Sequence, residues 1–411
     1  MLKETDGAMP LTVRHLPTCP AAPDPVAVQG ASPVLDNTHL AAHSFGPPAQ
    51  NTGDAVNTGR QAASLLSNLR DADHAKSIAR QLLANPTRPE QSWDSKDGST
   101  LFSFGSHDAI LFASAKAAST TACVSVQRGC LLRQAAQACR FCSTGRHVAF
   151  EGSLDGSEIA HQAIVAMEHR NKPSGEAAFS QKKMILYSGM GDSGLNPVGV
   201  VDSMRIIQQA YSDDELLFFM TTMGTPPTLL SRLQRHVVNA YEDGGLFNGT
   251  AVFLQVSLHG ATDSKRAFVI PMARKHPIDG VLTSALAFRD GLLPYVGPQA
   301  RSTKYREMPM VTLNYLMLGA MGAVFDGNAH NEDLMALIKL MHRFGPSNFI
   351  INLCSYNPDA RDRGVAFGPV SEYTFAHWQQ TLEHEGIAVK RFKSRGTDIR
   401  GGCGQLVGRS V

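Results

Sequence analysis

The sequence predicts an α/β fold built on a largely parallel sheet, and three observations carry that expectation. From about Thr120 onward, short apolar runs of strand length alternate with amphipathic helical patterns. The alternation repeats through six βα units, and strands joined by such long crossovers run parallel. Polar and glycine-rich residues recur at the carboxyl end of each run, where α/β folds gather their ligands. The pattern admits an open doubly wound sheet or a partial barrel.

The first element is negative. Residues 1–55 are rich in Pro, Ala, Asn, Thr and Gly without a sustained period, and are expected to form a flexible tail. A helical pattern follows from Arg60 to Leu83 (Leu65, Leu66, Leu69, then Ile78, Leu82, Leu83), giving a small appendage over residues 56–115. The core then spans 116–411. Its strands are expected at Cys123–Val126, Met184–Ser188, Leu216–Thr221, Val252–Leu258, Met310–Met317 and Phe349–Tyr356. Helices are expected over Ser157–Arg170, Val200–Tyr211, Thr228–Val238, Asp279–Leu293, Asn331–Phe344 and Ser371–Glu385. In Asn331–Phe344 the apolar positions Leu334, Leu337, Ile338, Met341 and Phe344 share one face.

Composition narrows the function classes. With 411 residues, 43% hydrophobic content and 36 glycines, the chain can bury a large core. A net charge of +2 does not advertise nucleic-acid binding. The segment from Lys390 to Val411 is locally basic, however, and can be read as a solvated face or as an RNA contact. No secretory signal opens the chain, and the uncharged run Met308–Phe325 is broken by Pro309, Asn314, Gly319 and Gly322, so no membrane association is expected. Seven cysteines without a signal suit a reducing, cytoplasmic setting, where clustered thiols mean metal or catalysis. Cys19 reads as incidental and Cys354, inside an apolar run, as core.

Cys130, Cys139 and Cys142 are the clustered ones, with Cys403 alone in the glycine-rich Gly401-Gly402-Cys403-Gly404. Three thiolates are one short of a closed tetrahedral zinc site, but the right number for an iron–sulfur cluster with one iron open. On a continuous helix, Cys130 would stand roughly 13 Å from Cys139 on the opposite face. The intervening residues must loop back, or a helix must begin only near Cys139. A zinc site with Cys123 as fourth ligand is the alternative.

These cysteines sit in wider motifs: Cys123-Val-Ser-Val-Gln127-Arg-Gly129-Cys130, then Cys139-Arg-Phe-Cys142-Ser-Thr-Gly145, Gly189-Met-Gly191-Asp192, Ser257-Leu258-His259 and Tyr356-Asn357-Pro358. The series closes with Arg395-Gly-Thr-Asp398-Ile and Cys403-Gly-Gln-Leu406. In that order they resemble the RlmN/Cfr family of radical S-adenosylmethionine RNA adenine methyltransferases. The resemblance implies a partial (β/α)6 barrel, with Cys130, Cys139 and Cys142 holding a [4Fe–4S] cluster. Gly191, Asp192, Thr221, Ser257, Leu258, His259 and Asn357 would line the S-adenosylmethionine pocket.

It further implies that Cys403 carries the methyl group that ends on carbon 2 or carbon 8 of an adenine. A 5′-deoxyadenosyl radical would take a hydrogen from that methyl, and the carbon radical would add to the ring. Cys123 would then release the product and leave a disulfide. The implied partners are an RNA substrate, ribosomal or transfer RNA, and an electron donor such as flavodoxin; the implied state is a monomer. A family glutamate taken as proton acceptor falls on Ile110, so Asp108 is the nearest candidate for that role. The chain departs from the family in its eight-residue first cysteine gap, in Asp192 for Glu, in Tyr356 for Trp, and in Asn314-Tyr315 for Glu-Tyr. A radical enzyme acting on a non-RNA substrate and a zinc-stabilised RNA-binding module are the competing readings.

Overall fold

A computed structural model of the chain describes residues 72–86, 88–112, 119–170, 182–247, 249–296, 311–359, 361 and 367–408. The expected tail over 1–55, Cys19 and the first part of the helical pattern, 60–71, lie outside the described residues. The described residues fall within one compact unit.

Ten strands form one sheet, and seven of them run parallel in strictly sequential order. These are β4 (Ser119–Cys123), β7 (Lys182–Tyr187), β8 (Glu215–Thr222), β9 (Ala251–Ser257), β10 (Val311–Met317), β11 (Ile350–Ser355) and β12 (Ala388–Phe392). The order never reverses, so the switch point that defines a doubly wound sheet is missing among the described strands. Before β4, three antiparallel strands extend the same sheet: β1 (Gln91–Asp94), β2 (Thr100–Ser103) and β3 (Asp108–Phe112). The boundary expected at 115/116 therefore falls between two paired strands, because Ile110 of β3 registers with Cys123 of β4. Among the described residues one helix, α1 (Ala72–Ala84), precedes them, and its Ala75 and Ala79 are buried in the main core. Residues 72–112 are thus part of the core rather than a separate appendage.

A two-stranded ribbon pairs β5 (Gln127–Arg128) with β6 (Gly152–Ser153). Short helices α2 (Leu131–Gln134) and α3 (Ser143–His147) flank the cysteine loop. The crossover helices are α4 (Gly156–Arg170), α5 (Pro197–Ala210), α6 (Thr228–Glu242), α8 (Ile278–Leu292), α9 (Asn331–Phe344) and α10 (Glu372–His384), with the shorter α7 (Asp263–Val269) after β9.

Strand residues alternate between two environments. Ile185, Tyr187, Phe218, Met220, Val252, Leu254, Leu313, Tyr315, Ile351 and Leu353 pack with the helices into the main core. In α9 the expected stripe is what goes inside: Leu334, Leu337, Ile338 and Met341 are buried. Full burial of such a side chain contributes about 1.5–3 kcal/mol. The helix starts where His330 and Asp333 form a reciprocal capping box, and stops at Gly345, whose φ of 85° favours glycine.

Candidate active site

The opposite strand face is apolar at its amino end and polar at its carboxyl end. Leu217, Phe219, Ala251 and Phe253 form a small apolar cluster there, with Phe219 and Phe253 stacked at 4.8 Å. Further along the same face stand Thr221, Gln255, Ser257, Asn314 and Asn352, all lining one cavity. Thr221 Oγ1 donates to Gln255 Oε1 at 2.9 Å, and Asn352 Nδ2 donates to Asn314 Oδ1 at 2.8 Å. Sequence reasoning missed Gln255 and Asn352 as site residues. The signal was a single amide at an alternating position inside an otherwise apolar strand.

The cavity also brings together Cys123, Cys130, Cys139, Cys142, Cys354 and Cys403. All six are free thiols. Cys130 and Cys142 are the residues that immediately precede α2 and α3. Between them the chain folds back: α2 is a single turn, Ala136 adopts a left-handed φ of 54°, and Gln137 N donates to Leu132 O at 2.8 Å. The expected loop-back is what the eight-residue gap does, with the following helix starting only after Cys142.

Burial, with the neighbouring Cys142, pushes the Cys130 thiol up to about 12. The Cys139 thiol is driven well above its ordinary range by burial and by Cys142 and Cys130, against a smaller opposing pull from Arg266. The three groups thus act on one another electrostatically across one wall of the cavity. Among the described residues, no three Cys, His, Asp or Glu side chains converge closely enough to ligate a single ion. One zinc would need its thiolates within roughly 4 Å of each other, since Zn–S bonds are about 2.3 Å long. A cuboidal cluster gives each thiolate its own iron and so accepts wider spacing, and the donor set is soft thiolate throughout. The residues fit the cluster better than the ion.

Cys403 and Cys123 lie close enough to interact. Cys123, at the end of β4, is raised to about 12 by burial and then by Cys403. Cys403 is exposed towards the cavity, and desolvation with Cys142 raises it to about 11. Cys354, expected to be plain core, lines the same cavity, and Cys403 contributes to its elevated pKa.

The Cys403 segment is held from several sides. Asn357 Nδ2 donates to Cys403 O at 3.1 Å and to Ser394 Oγ at 2.6 Å, while Ser143 N donates to Gly404 O at 2.8 Å. A Cβ on Gly401 would stand 2.4 Å from Ile110 Cδ1, so that glycine secures close approach to β3. Asp108 belongs to this clamp. It is 2% exposed, and its Oδ2 accepts from Gly408 N at 2.8 Å and Val407 N at 3.3 Å. Ile110 lines the cavity, whereas Asp108 does not. The expected proton acceptor is therefore placed as an anchor for the carboxyl-terminal segment.

Of the residues expected around S-adenosylmethionine, Gly191, Asp192, Thr221, Ser257, His259 and Asn357 line the cavity. Leu258 does not; its side chain is buried in the main core. Asp192 is clamped by Gly194 N at 2.8 Å, Thr222 Oγ1 at 2.7 Å and Met223 N at 2.7 Å. Burial nevertheless raises its pKa, outweighing these donors. Gly191 has φ 97°, and a Cβ there would strike the Gln127 side chain at 2.7 Å. His259, at φ 51°, accepts from Leu316 N through Nδ1 at 3.0 Å and meets the Phe141 ring edge-on at 4.7 Å. Burial lowers its pKa to about 3, so the ring is neutral.

Known proteins can now be set beside this geometry. No family model matches the chain. Two proteins named dual-specificity RNA methyltransferase RlmN, from Francisella tularensis subspecies mediasiatica and novicida, are each 29% identical over 290 residues. The match covers 70% of this chain and 66% of each relative, just under two thirds of the relatives' own length. The resemblance to the RlmN/Cfr family holds. A crystal structure of a radical SAM methyltransferase from Sphaerobacter thermophilus shares the fold, with a TM-score of 0.60 at 23% identity, covering 81% of this chain and 85% of that one. The mostly parallel sheet described above is thus matched by the fold of that structure.

Proposed function

We propose that this chain is a radical S-adenosylmethionine methyltransferase acting on RNA, and that it methylates a ring carbon of adenine through Cys403. The observation that carries the reading is the gathering of Cys130, Cys139 and Cys142 with Cys123 and Cys403 around one cavity. A structural zinc site with Cys123 as its fourth ligand would leave Cys403 without a role. The RlmN name of the relatives supports RNA as the substrate.

The scaffold fits a partial (β/α)6 barrel. Cys123 lies on β4 and Cys354 on β11, the first and sixth parallel strands, yet both interact with Cys403. That is compatible with a sheet curled towards closure rather than flat.

Cys130, Cys139 and Cys142 would hold a [4Fe–4S] cluster, which together with bound S-adenosylmethionine would supply the hydrogen-abstracting radical. Asp192 would present its remaining lone pairs to the cationic amino group, a charge-assisted contact. Asn357 would fix the backbone of Cys403 so that its thiol faces the cavity. The Cys403 sulfur would take the methyl carbon of S-adenosylmethionine as the sulfonium–carbon bond breaks and S-adenosylhomocysteine leaves; once that methyl has given up a hydrogen atom, its carbon would bond to the base. Cys123 would attack the Cys403 sulfur, break the sulfur–carbon bond and leave a disulfide as the methylated base departs. With the thiol of Cys123 raised to about 12, it stays protonated until a base is available. Gln255, Asn314 and Asn352 would line the floor with amide donors and acceptors.

Nucleoside mass spectrometry of RNA from cells with and without the protein tests the reading. Methyladenosine present only with the active chain is the expected outcome. Identical nucleoside profiles would favour the non-RNA radical enzyme.

A further inference from the structure

Arg266, on α7, is 1% exposed and makes no salt bridge with a carboxylate among the described residues; burial lowers its pKa to about 10, against smaller opposing pulls first from Cys139 and then from Asp263. Its guanidinium donates instead to neutral oxygens: Met223 O at 2.6 Å, Thr225 Oγ1 at 3.2 Å and Ser257 O at 3.4 Å. Nε has no hydrogen-bond partner. Isolating a charge this way costs several kcal/mol unless something nearby carries the opposite sign. Two backbone carbonyls and a hydroxyl accept from the other two nitrogens but cannot neutralise the charge.

The surroundings indicate what does. α7 packs directly behind the cysteine loop: Arg140 N donates to Val269 O at 3.0 Å, and the Arg140 guanidinium lies 4.4 Å above the Phe268 ring. Cys130, Met223 and Val269 share one buried cluster, and the part-buried Cys139 packs against it. A Cβ at Gly260 would meet Arg266 N at 2.5 Å, so glycine there lets the start of α7 close onto the end of β9. The fold spends a close approach and three neutral acceptors on holding a cation behind Cys139.

We infer that Arg266 is a positioning residue for the cluster, supplying the buried positive charge that balances the thiolates of Cys130, Cys139 and Cys142. Its three acceptors also tie the ends of β8 and β9 together, and Met223 passes the connection on to Asp192 through its N–H. One-electron reduction adds negative charge to the thiolate-bound cluster, so a fixed cation beside it favours the reduced form. The inference rests on the reading of the three cysteines as cluster ligands.

The test is a dithionite redox titration of anaerobically reconstituted full-length protein, followed by visible absorption and electron paramagnetic resonance. Wild type, R266Q and R266K are compared. R266Q removes the charge and should lower the ratio of reduced to oxidised cluster at a fixed potential by about tenfold. R266K keeps the charge, loses the fork of donors, and should titrate close to wild type. R266Q at the wild-type potential overturns the inference. R266K shifted to more negative potential as far as R266Q also overturns it, because donor geometry rather than charge would then be responsible. Should the glutamine variant fail to fold, Arg266→Met takes its place as the uncharged variant and the same two criteria apply. Wild-type protein that takes up no cluster overturns the ligand reading itself, and the inference with it.

Discussion

The two faces of the parallel sheet are made by the same strands and have opposite demands on them. On the helix-covered face, Leu254, Leu313 and Leu353 are apolar along the whole strand, and substitution there is a packing question. On the cavity face, Phe219 and Phe253 near the amino end give way to Thr221, Gln255, Asn314 and Asn352 near the carboxyl end. Each of these polar residues weakens the hydrophobic case for its strand. Their bonds to each other satisfy part of their hydrogen-bonding capacity and leave the rest turned to the cavity. The contrast teaches that period-two alternation marks the core on one side and the site on the other, and that only the polar half of the second face carries chemistry.

The sharpest way to break that division is at the cysteine loop. Cys139→Ala should abolish the broad visible absorption of a reconstituted cluster while leaving the folded far-ultraviolet spectrum. Retained absorption would remove Cys139 from the ligand set. Next in size, Leu313→Ala on the helix-covered face should cost about 2–5 kcal/mol in urea unfolding, as buried leucines do, without changing the reaction of the molecules that remain folded. On the cavity face, Gln255→Leu should change stability by less than about 1.5 kcal/mol, since it removes a polar group of similar size. It should nonetheless weaken S-adenosylmethionine binding by about tenfold, one lost hydrogen bond's worth. Equal affinity by calorimetry would mean that the polar row does not face the ligand.

A pH-dependent effect concerns His259. Its folded pKa of about 3 lies below the ordinary 6.5, so the unfolded chain binds the extra proton first. Its contribution to stability is present above about pH 6.5 and is lost as pH falls towards 3, by up to about 1.4 kcal/mol per pH unit. His259→Asn should flatten the decline measured by urea unfolding between pH 6.5 and 4. His107, lowered to about 4 by burial and then by Arg128, adds a slope of the same sign that the variant leaves in place.

Much of this division was legible in the sequence. The helix Asn331–Phe344 coincides with its apolar stripe, and five of the six expected strands overlap the observed ones to within a residue or two. The first was displaced: Cys123–Val126 was expected, but pairing runs over Ser119–Cys123, because Thr120 and Thr121 pair well without looking apolar. Strands β1 to β3 were missed since four or five residues flanked by turns carry no sustained period. β12 was hidden by its charges: Lys390 and Arg391 can sit on an edge strand, which needs only one neighbour. The candidate site was legible wherever a motif carried it. The contacts of Asp108 were not legible because spacing along a strand says nothing about what covers it, and here Val407 and Gly408 do. Arg266 carried no signal at all, since a lone arginine on a helix reads as solvated until its burial is seen.

The central claim is that Cys403 carries the methyl group and Cys123 discharges it. Peptide mass spectrometry of protein produced with its cluster tests it most directly, with wild type and Cys123→Ala side by side. The account predicts a Cys403 peptide heavier by one CH2 group in wild type, and RNA covalently held on Cys403 when Cys123 is absent. An unmodified Cys403 in both proteins, or adenine methylation that persists in Cys403→Ala, would contradict it.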